Sequence, residues 1–166
     1  MIVENDEMIL FWSTESIYSN FHPVEFNYRN IHFMNSEAAY MYEKAKYFGD
    51  SESALKIIEN QDPYTAKKLG RKVKGYDDVE WSKVRYKIMT NVLYSKFGQN
   101  KAMCNELLST GNKLIVEASP YDKIWGIGLQ TDDPLALDPS NWQGENLLGK
   151  AIMEVRLMLA SEKNNE

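Results

Sequence analysis

Cysteine and histidine are nearly missing from this chain. Cys104 stands alone, so no internal disulfide can form, and His22 and His32 are the only histidines. No Cys/His cluster has zinc-ligand spacing, and the expectation is chemistry without a bound metal or cofactor. A lone thiol suits a reducing compartment, and a cytoplasmic location is expected. Positive charge is in deficit as well: 19 Lys and Arg stand against 24 Asp and Glu, for a net charge of −5. This balance argues against coating nucleic acid by bulk electrostatics, because that mode needs cations to replace phosphate counterions. No apolar run approaches the roughly 18 residues that a membrane span requires. The opening MIVENDEMILFW is acidic where a signal peptide would be basic. Repeats, low-complexity tracts and Ser/Gly linkers are absent too, which leaves residues 1–166 as one expected domain, long enough to bury a core unaided.

Apolar residues make up 43% of the chain, generously aromatic, and such a composition packs rather than stays disordered. The first thirty-odd residues alternate apolar and polar groups around Asn20, Pro23 and Asn30, a pattern of short strands and turns. Ser36 then occupies an N-cap position for a helix running to about Phe48 and stopped by Gly49. Further helices are expected from Asp50 or Ser51 to Asn60, from Pro63 to Gly70, over 79–97 and over 101–109. In the long one, Trp81, Val84, Ile88 and Val92 make a buried stripe. Leu114 to Val116 reads as a short buried strand, and a last helix is expected over 146–160. Between them, residues 119–144 hold too many prolines and glycines for regular structure, and long loops of this kind usually carry function. The fold class is therefore α+β, mainly α-helical with a few short strands. Lys67, Lys68, Arg71, Lys72 and Lys74 concentrate positive charge in an otherwise acidic chain, either as a local basic pocket or as a solvated helix end.

Several segments carry a resemblance when taken in order: SNF at 19–21, SEAAYMYEKAKYFGD at 36–50, LGR at 69–71, Trp81 with Met89, and KFGQN at 96–100. LLSTG at 107–111, VEASPYDKIWGIG at 116–128 and GENLLGKAIMEVR at 144–156 complete the series. Together they resemble the YbiA-like, or NADAR, family across nearly the whole chain. The resemblance implies a helical fold with a small β component and cleavage of an N-glycosidic bond. Family substrates are riboflavin-pathway ribosylamine phosphates or ADP-ribose attached to a base. The sequence departs from the family in two places: the helix that usually reads Glu-His-Tyr has Ala38-Ala39 after Glu37, and TDDPLALDPSNWQ forms an insert-like loop.

Breaking a ribose C–N bond passes through an oxocarbenium-like sugar. A site needs charge stabilisation at C1, a proton for the leaving nitrogen, and a nucleophile or water at the anomeric carbon. Glu37 and Lys44 lie two helical turns apart, so both project from one face about 10 Å apart along the axis. By the resemblance Lys44 is the conspicuous position. A neutral amine there can attack C1 of an opened ribose and form a Schiff base, if burial lowers its pKa. The same spacing also serves an ordinary surface pair; Lys46, on another side of the helix, is the internal control. Glu117 and Asp122 place two carboxylates at a strand end, beside Ser119, Trp125, Gly126 and Gly128. There the Trp can stack on a base and the glycines let backbone approach a ligand. Asp122 is either an acid, base or ribose-orienting group, or a turn former after Pro120. Asn20, with Ser19 and Phe21, either contacts sugar or phosphate or closes an Asx turn. Arg71 offers a phosphate fork or is a helix C-terminal cation. Trp81 stacks on substrate or fills the core. Glu154 and Arg156 either reach the site or, as favoured, pair on the helix surface, and Met89, Met103, Met153 and Met158 read as core filler.

The first hypothesis is thus an N-glycosidase acting on a small ribosyl phosphate or ADP-ribosyl substrate, with ADP-ribosylated DNA as a macromolecular target that Arg71 and its neighbours would hold. A non-catalytic module that senses ADP-ribose or NAD would use the same residues. A purely structural helical protein leaves the loop over 119–144 without purpose.

Overall fold

Strands form where short apolar runs sit between turn residues, and helices where capping residues precede longer periodic stretches. In chain order they are β1 (Ile2–Glu4), β2 (Met8–Phe11), β3 (Phe26–Tyr28), β4 (Ile31–Phe33), α1 (Ser36–Tyr47), α2 (Ser51–Glu59), α3 (Pro63–Arg71), α4 (Asp78–Gly98), α5 (Lys101–Ser109), β5 (Leu114–Glu117) and α6 (Leu147–Asn164). Two short 3-10 turns, Pro134–Leu137 and Pro139–Asn141, interrupt the loop before α6. The structure, a computed structural model, describes residues 1–166. It is mainly helical, and no helix is long and apolar enough to cross a membrane. The chain divides into two compact units: Met1–Ser19 with Lys101–Glu166, and Asn20–Asn100.

In the first unit β2 pairs antiparallel with β1 and parallel with β5, in the order β1-β2-β5. Every residue of β2 is buried, as expected for a central strand covered on both faces. One face packs Met8, Leu10 and Val116 with Ala118, Ile127, Leu129 and Ala136 from the loop that follows β5, flanked by Trp142. α6 packs along β5. It comes so close that a Cβ on Gly149 would meet the Ile115 carbonyl oxygen at 1.9 Å. The free edge of β5 is closed by one side chain. Asn146, 1% exposed and in the left-handed region at φ 51, accepts from Glu117 N and donates to Ile115 O, both at 3.0 Å. Arg156 is buried here, donating to Thr110 Oγ1 and the Lys113 carbonyl, both at 2.9 Å. Arg156 is thus buried where a surface position was expected, and its guanidinium ties α6 to the turn ahead of β5. Met158 is exposed instead of filling core, whereas Met89 and Met103 are buried.

In the second unit β3 and β4 form a hairpin across Arg29 and Asn30, both at positive φ, the geometry of a two-residue turn that favours asparagine. Two glutamines cover its edges: Gln99 exchanges hydrogen bonds with Asn27 N and O, and Gln61 with Met34 N and His32 O. α1 packs against α2, α3 and α4. Its N-cap is Asn35, whose side chain accepts from Ala38 N, not Ser36 as the sequence suggested. Ser36 is the first helical residue, and its hydroxyl is bonded elsewhere. Asp50, Asp62 and Asp77 cap α2, α3 and α4 in the same way.

Candidate active site

α1 carries the amine. Lys44 is half-buried, with its Nζ 4.4 Å from the centre of the Tyr76 ring, while Lys46 is exposed. Desolvation is the largest influence on Lys44 and holds it below the usual lysine range. The Arg71 charge pushes the same way, and Glu37 and Asp78 oppose it. The predicted pair is therefore electrostatically coupled, and Arg71 at the end of α3 belongs to the same field. Glu37, in the first turn of α1, is only 7% exposed. A carboxylate whose charge reaches a desolvated amine supplies a counter-charge to it.

Tyr76 and Asp78 escaped the sequence reading. The Tyr76 hydroxyl donates to Asp78 Oδ1 at 2.7 Å, which fixes the ring against which Lys44 lies. No periodic signal marks them, since they occupy the turn before α4 and its first residue. Arg85 was also missed; its charge reaches both Tyr40 and Tyr76. Trp81 packs as core: it is 3% exposed, lies against Tyr40, Tyr47 and Phe48, and donates its indole N–H to the Tyr40 hydroxyl at 3.1 Å. Stacking on a substrate is not open to a ring so enclosed. The basic segment lies on the surface, with Lys74 3.7 Å from Glu52.

Asn20 is half-buried and bonded into α1: its carboxamide oxygen accepts from Ser36 Oγ at 2.8 Å and its backbone carbonyl from Glu37 N at 3.0 Å. Phe21 meets the Tyr64 ring edge-on at 4.8 Å, with Lys67 above it. The largest omission from the sequence reading is Lys96 on α4, a lysine with 0% exposure that burial pushes down to about 7. A signal existed: Lys96 follows Val92 by four residues on the apolar stripe, where a charged residue is out of place.

The other predicted residues lie in the unit containing β5. Asp122 makes a turn, its Oδ1 accepting from Ile124 N and Trp125 N at 2.9 and 2.8 Å. Ser119 is buried and its hydroxyl accepts from Tyr121 N at 3.3 Å. Glu117 and Trp125 are half-buried, as are Ser19 and Gly128. The glycines serve the close packing of the loop itself. A Cβ on Gly126 would meet the Asp122 and Glu117 carbonyls at 2.8 and 3.0 Å, and one on Gly144 would meet the Gly126 carbonyl at 2.3 Å. Backbone bonds from Gln143, Glu145, Asn146, Leu147 and Leu148 to the carbonyls of residues 123–127 lace the two ends of this loop together. Its breakers thus build a fixed structure in place of regular elements.

The NADAR domain model matches residues 10–160. A protein named N-glycosidase R617 from Acanthamoeba polyphaga mimivirus is 38% identical over 93% of this chain and 97% of its own length. N-glycosidase Npun_R5314 from Nostoc punctiforme is 30% identical over 87% of this chain and 86% of its own. The solution structure of the E. coli protein YbiA superposes with a TM-score of 0.80 at 28% identity, covering 99% of this chain and 91% of that one. A family model that matches residues 10–160 covers most of the chain, and the chain belongs to the NADAR family.

Proposed function

We propose that this chain hydrolyses the bond between C1 of a ribosyl group and a nitrogen, with Lys44 as nucleophile. The carrying observation is the amine itself: half-buried, held below the ordinary lysine range and coupled to a buried carboxylate. Two relatives named N-glycosidases support the reaction class. The neutral Nζ attacks C1 and forms a C–N bond. The C1–N bond of the substrate breaks, its electron pair passes to the leaving nitrogen, and that nitrogen takes up a proton. Glu37 receives the proton that the attacking amine sheds. The adduct then opens its C1–O ring bond to an imine, and water adds at C1 to release the sugar and regenerate the amine. Glu117 and Asp122 are the remaining acid–base candidates. Asn20, Phe21 and Arg71 are assigned to binding, Arg71 through its bidentate fork to phosphate. Substrates are riboflavin-pathway ribosylamine phosphates or ADP-ribose attached to a base, in DNA or free, handled in the cytoplasm.

Turnover tests this directly. Incubation with a riboflavin-pathway ribosylamine phosphate and with ADP-ribosylated guanine should release ribose phosphate or ADP-ribose from at least one of them. Saturable ADP-ribose binding with no product from any such substrate would instead mark a sensor.

A further inference from the structure

Glu37, Met41 and Lys44 stand in a row on one face of α1, because residues three and four apart are neighbours on a helix. α3 lies against that row. A Cβ on Gly70 would meet Met41 Sδ at 2.1 Å, so the two helices touch at the residue between the buried carboxylate and the amine. Arg71 follows at once, and its charge reaches Lys44. At the other end of α3 the Tyr64 ring meets Phe21 edge-on at 4.8 Å, and Phe21 follows Asn20, whose carbonyl accepts from Glu37 N at 3.0 Å. α3 thus starts near the Glu37 end of the row and finishes toward the Lys44 end. Tyr64, Lys67 and Arg71 share one face of it, about 10 Å long at 1.5 Å per residue. Lys67 Nζ lies 5.7 Å from the centre of the Phe21 ring, on the same side. The charge on this face is not neutralised. α3 holds Lys67, Lys68 and Arg71 and no Asp or Glu, in a chain of net charge −5. Ion pairs occupy Lys56, Lys74, Lys83 and Lys113, but neither Lys67 nor Arg71. Tyr64 is 62% exposed, although the Asp62 cap and Pro63 fix the turn that carries it. An aromatic ring displayed on a fixed turn, with two unpaired cations beyond it, matches a base followed by phosphates.

We infer that Tyr64, Lys67 and Arg71 form a distal subsite for a nucleoside diphosphate joined to the ribose that Lys44 attacks. Arg71, nearest the amine, and Lys67 take the two phosphates, and the base lies on Tyr64. This rests on the ribosyl reading of Lys44. A ribose monophosphate occupies Arg71 alone and leaves the rest of the face without a contact, so the subsite selects an ADP-ribosyl group over a ribosylamine phosphate. Tyr64 and Lys67 set that choice without touching a reacting atom.

Calorimetric affinities for ADP-ribose, ADP and ribose 5-phosphate provide the test, measured on wild type, Tyr64→Ala, Tyr64→Phe, Lys67→Ala and Lys46→Ala. Wild type should bind ADP-ribose about tenfold or more tightly than ribose 5-phosphate. Tyr64→Ala should lose about tenfold or more for ADP-ribose and ADP, the scale of one stacked base, while its affinity for ribose 5-phosphate changes less than about twofold. Tyr64→Phe keeps the ring and should keep the affinity. Lys67→Ala should lose about fivefold or more for ADP-ribose and ADP, as expected for one charged hydrogen bond. Lys46→Ala removes the same charge from another side of α1 and should lose less than about twofold, since a screened charge away from the subsite contributes little. Tyr64, Lys67 and Lys46 are exposed, so all variants should melt near the wild-type temperature; should Tyr64→Ala melt low, the two lysine variants decide. Equal wild-type affinity for ADP-ribose and ribose 5-phosphate, full ADP-ribose affinity in Tyr64→Ala, a loss in Tyr64→Phe as large as in Tyr64→Ala, or equal losses in Lys67→Ala and Lys46→Ala would each overturn the inference. Affinity is read apart from turnover: a wild type that binds in the expected order but cleaves no ribosyl substrate would sink the Lys44 reaction and leave the subsite standing.

Discussion

A side chain that folding forces to change its protonation state leaves a trace in the pH dependence of stability. Lys96 is held near 7 in the folded chain by burial, whereas in the unfolded chain it titrates as an ordinary lysine. Between those two values the unfolded state binds a proton that the folded state does not, so stability rises with pH through that window. Urea midpoints measured from pH 6 to pH 10 should climb in the wild type and climb less in Lys96→Met; parallel curves would refute the buried-amine assignment. Asp122 separates shape from chemistry in a different way. Asparagine can still accept from Ile124 N and Trp125 N, so Asp122→Asn should keep the loop and its melting temperature. If the carboxylate acts as acid or base, the variant loses about 100-fold or more in kcat; unchanged turnover would reduce Asp122 to the turn former that its local sequence also allows.

Elements here end on carboxamides. Gln99 covers β3, Gln61 covers β4 and Asn146 covers β5, each presenting a donor and an acceptor where a neighbouring strand would. Asn146 is the most enclosed, so Asn146→Asp, which cannot donate to the Ile115 carbonyl and buries a charge, should destabilise by about 2 kcal/mol or more. Thermal melts that show no loss would mean that the edge is held otherwise. Helix positions were legible in the sequence because caps and stops are local: Asp50 before α2, Pro63 opening α3 and Gly49 after α1 all stand where their chemistry dictates. Edge covering was not legible, because the partner of Asn146 lies some thirty residues away and nothing local distinguishes a capping asparagine from one that bridges a strand. The packing of the loop after β5 was not legible for a related reason: Gly126 and Gly144 are bare because backbone passes over them, and nothing local announces that.

Chain connectivity makes residues 20–100 an insertion between two paired parallel strands, β2 and β5. The family model runs through both units, and the reading of residues 1–166 as one domain predicts a single unfolding transition, seen alike by far-ultraviolet circular dichroism and Trp fluorescence. Two separated transitions would contradict it. At this scale the family and the reaction class were legible from ordered motifs, whereas the spacing of Glu37 and Lys44 left an ordinary surface pair open and only the fold shows Lys44 half-buried and electrostatically coupled to Glu37. Its surroundings were not legible either. Tyr76, Asp78 and Arg85 come from a turn and another helix, and no spacing along one element brings them to mind. Everything proposed for the reaction converges on Lys44 as a covalent nucleophile. Borohydride added during turnover, followed by peptide mass spectrometry, should trap a ribosyl adduct on Lys44 and none on Lys46, and the Lys44→Ala protein should be inactive and unlabelled at a wild-type melting temperature. A fully active Lys44→Ala protein, or an adduct on another residue, would contradict the account.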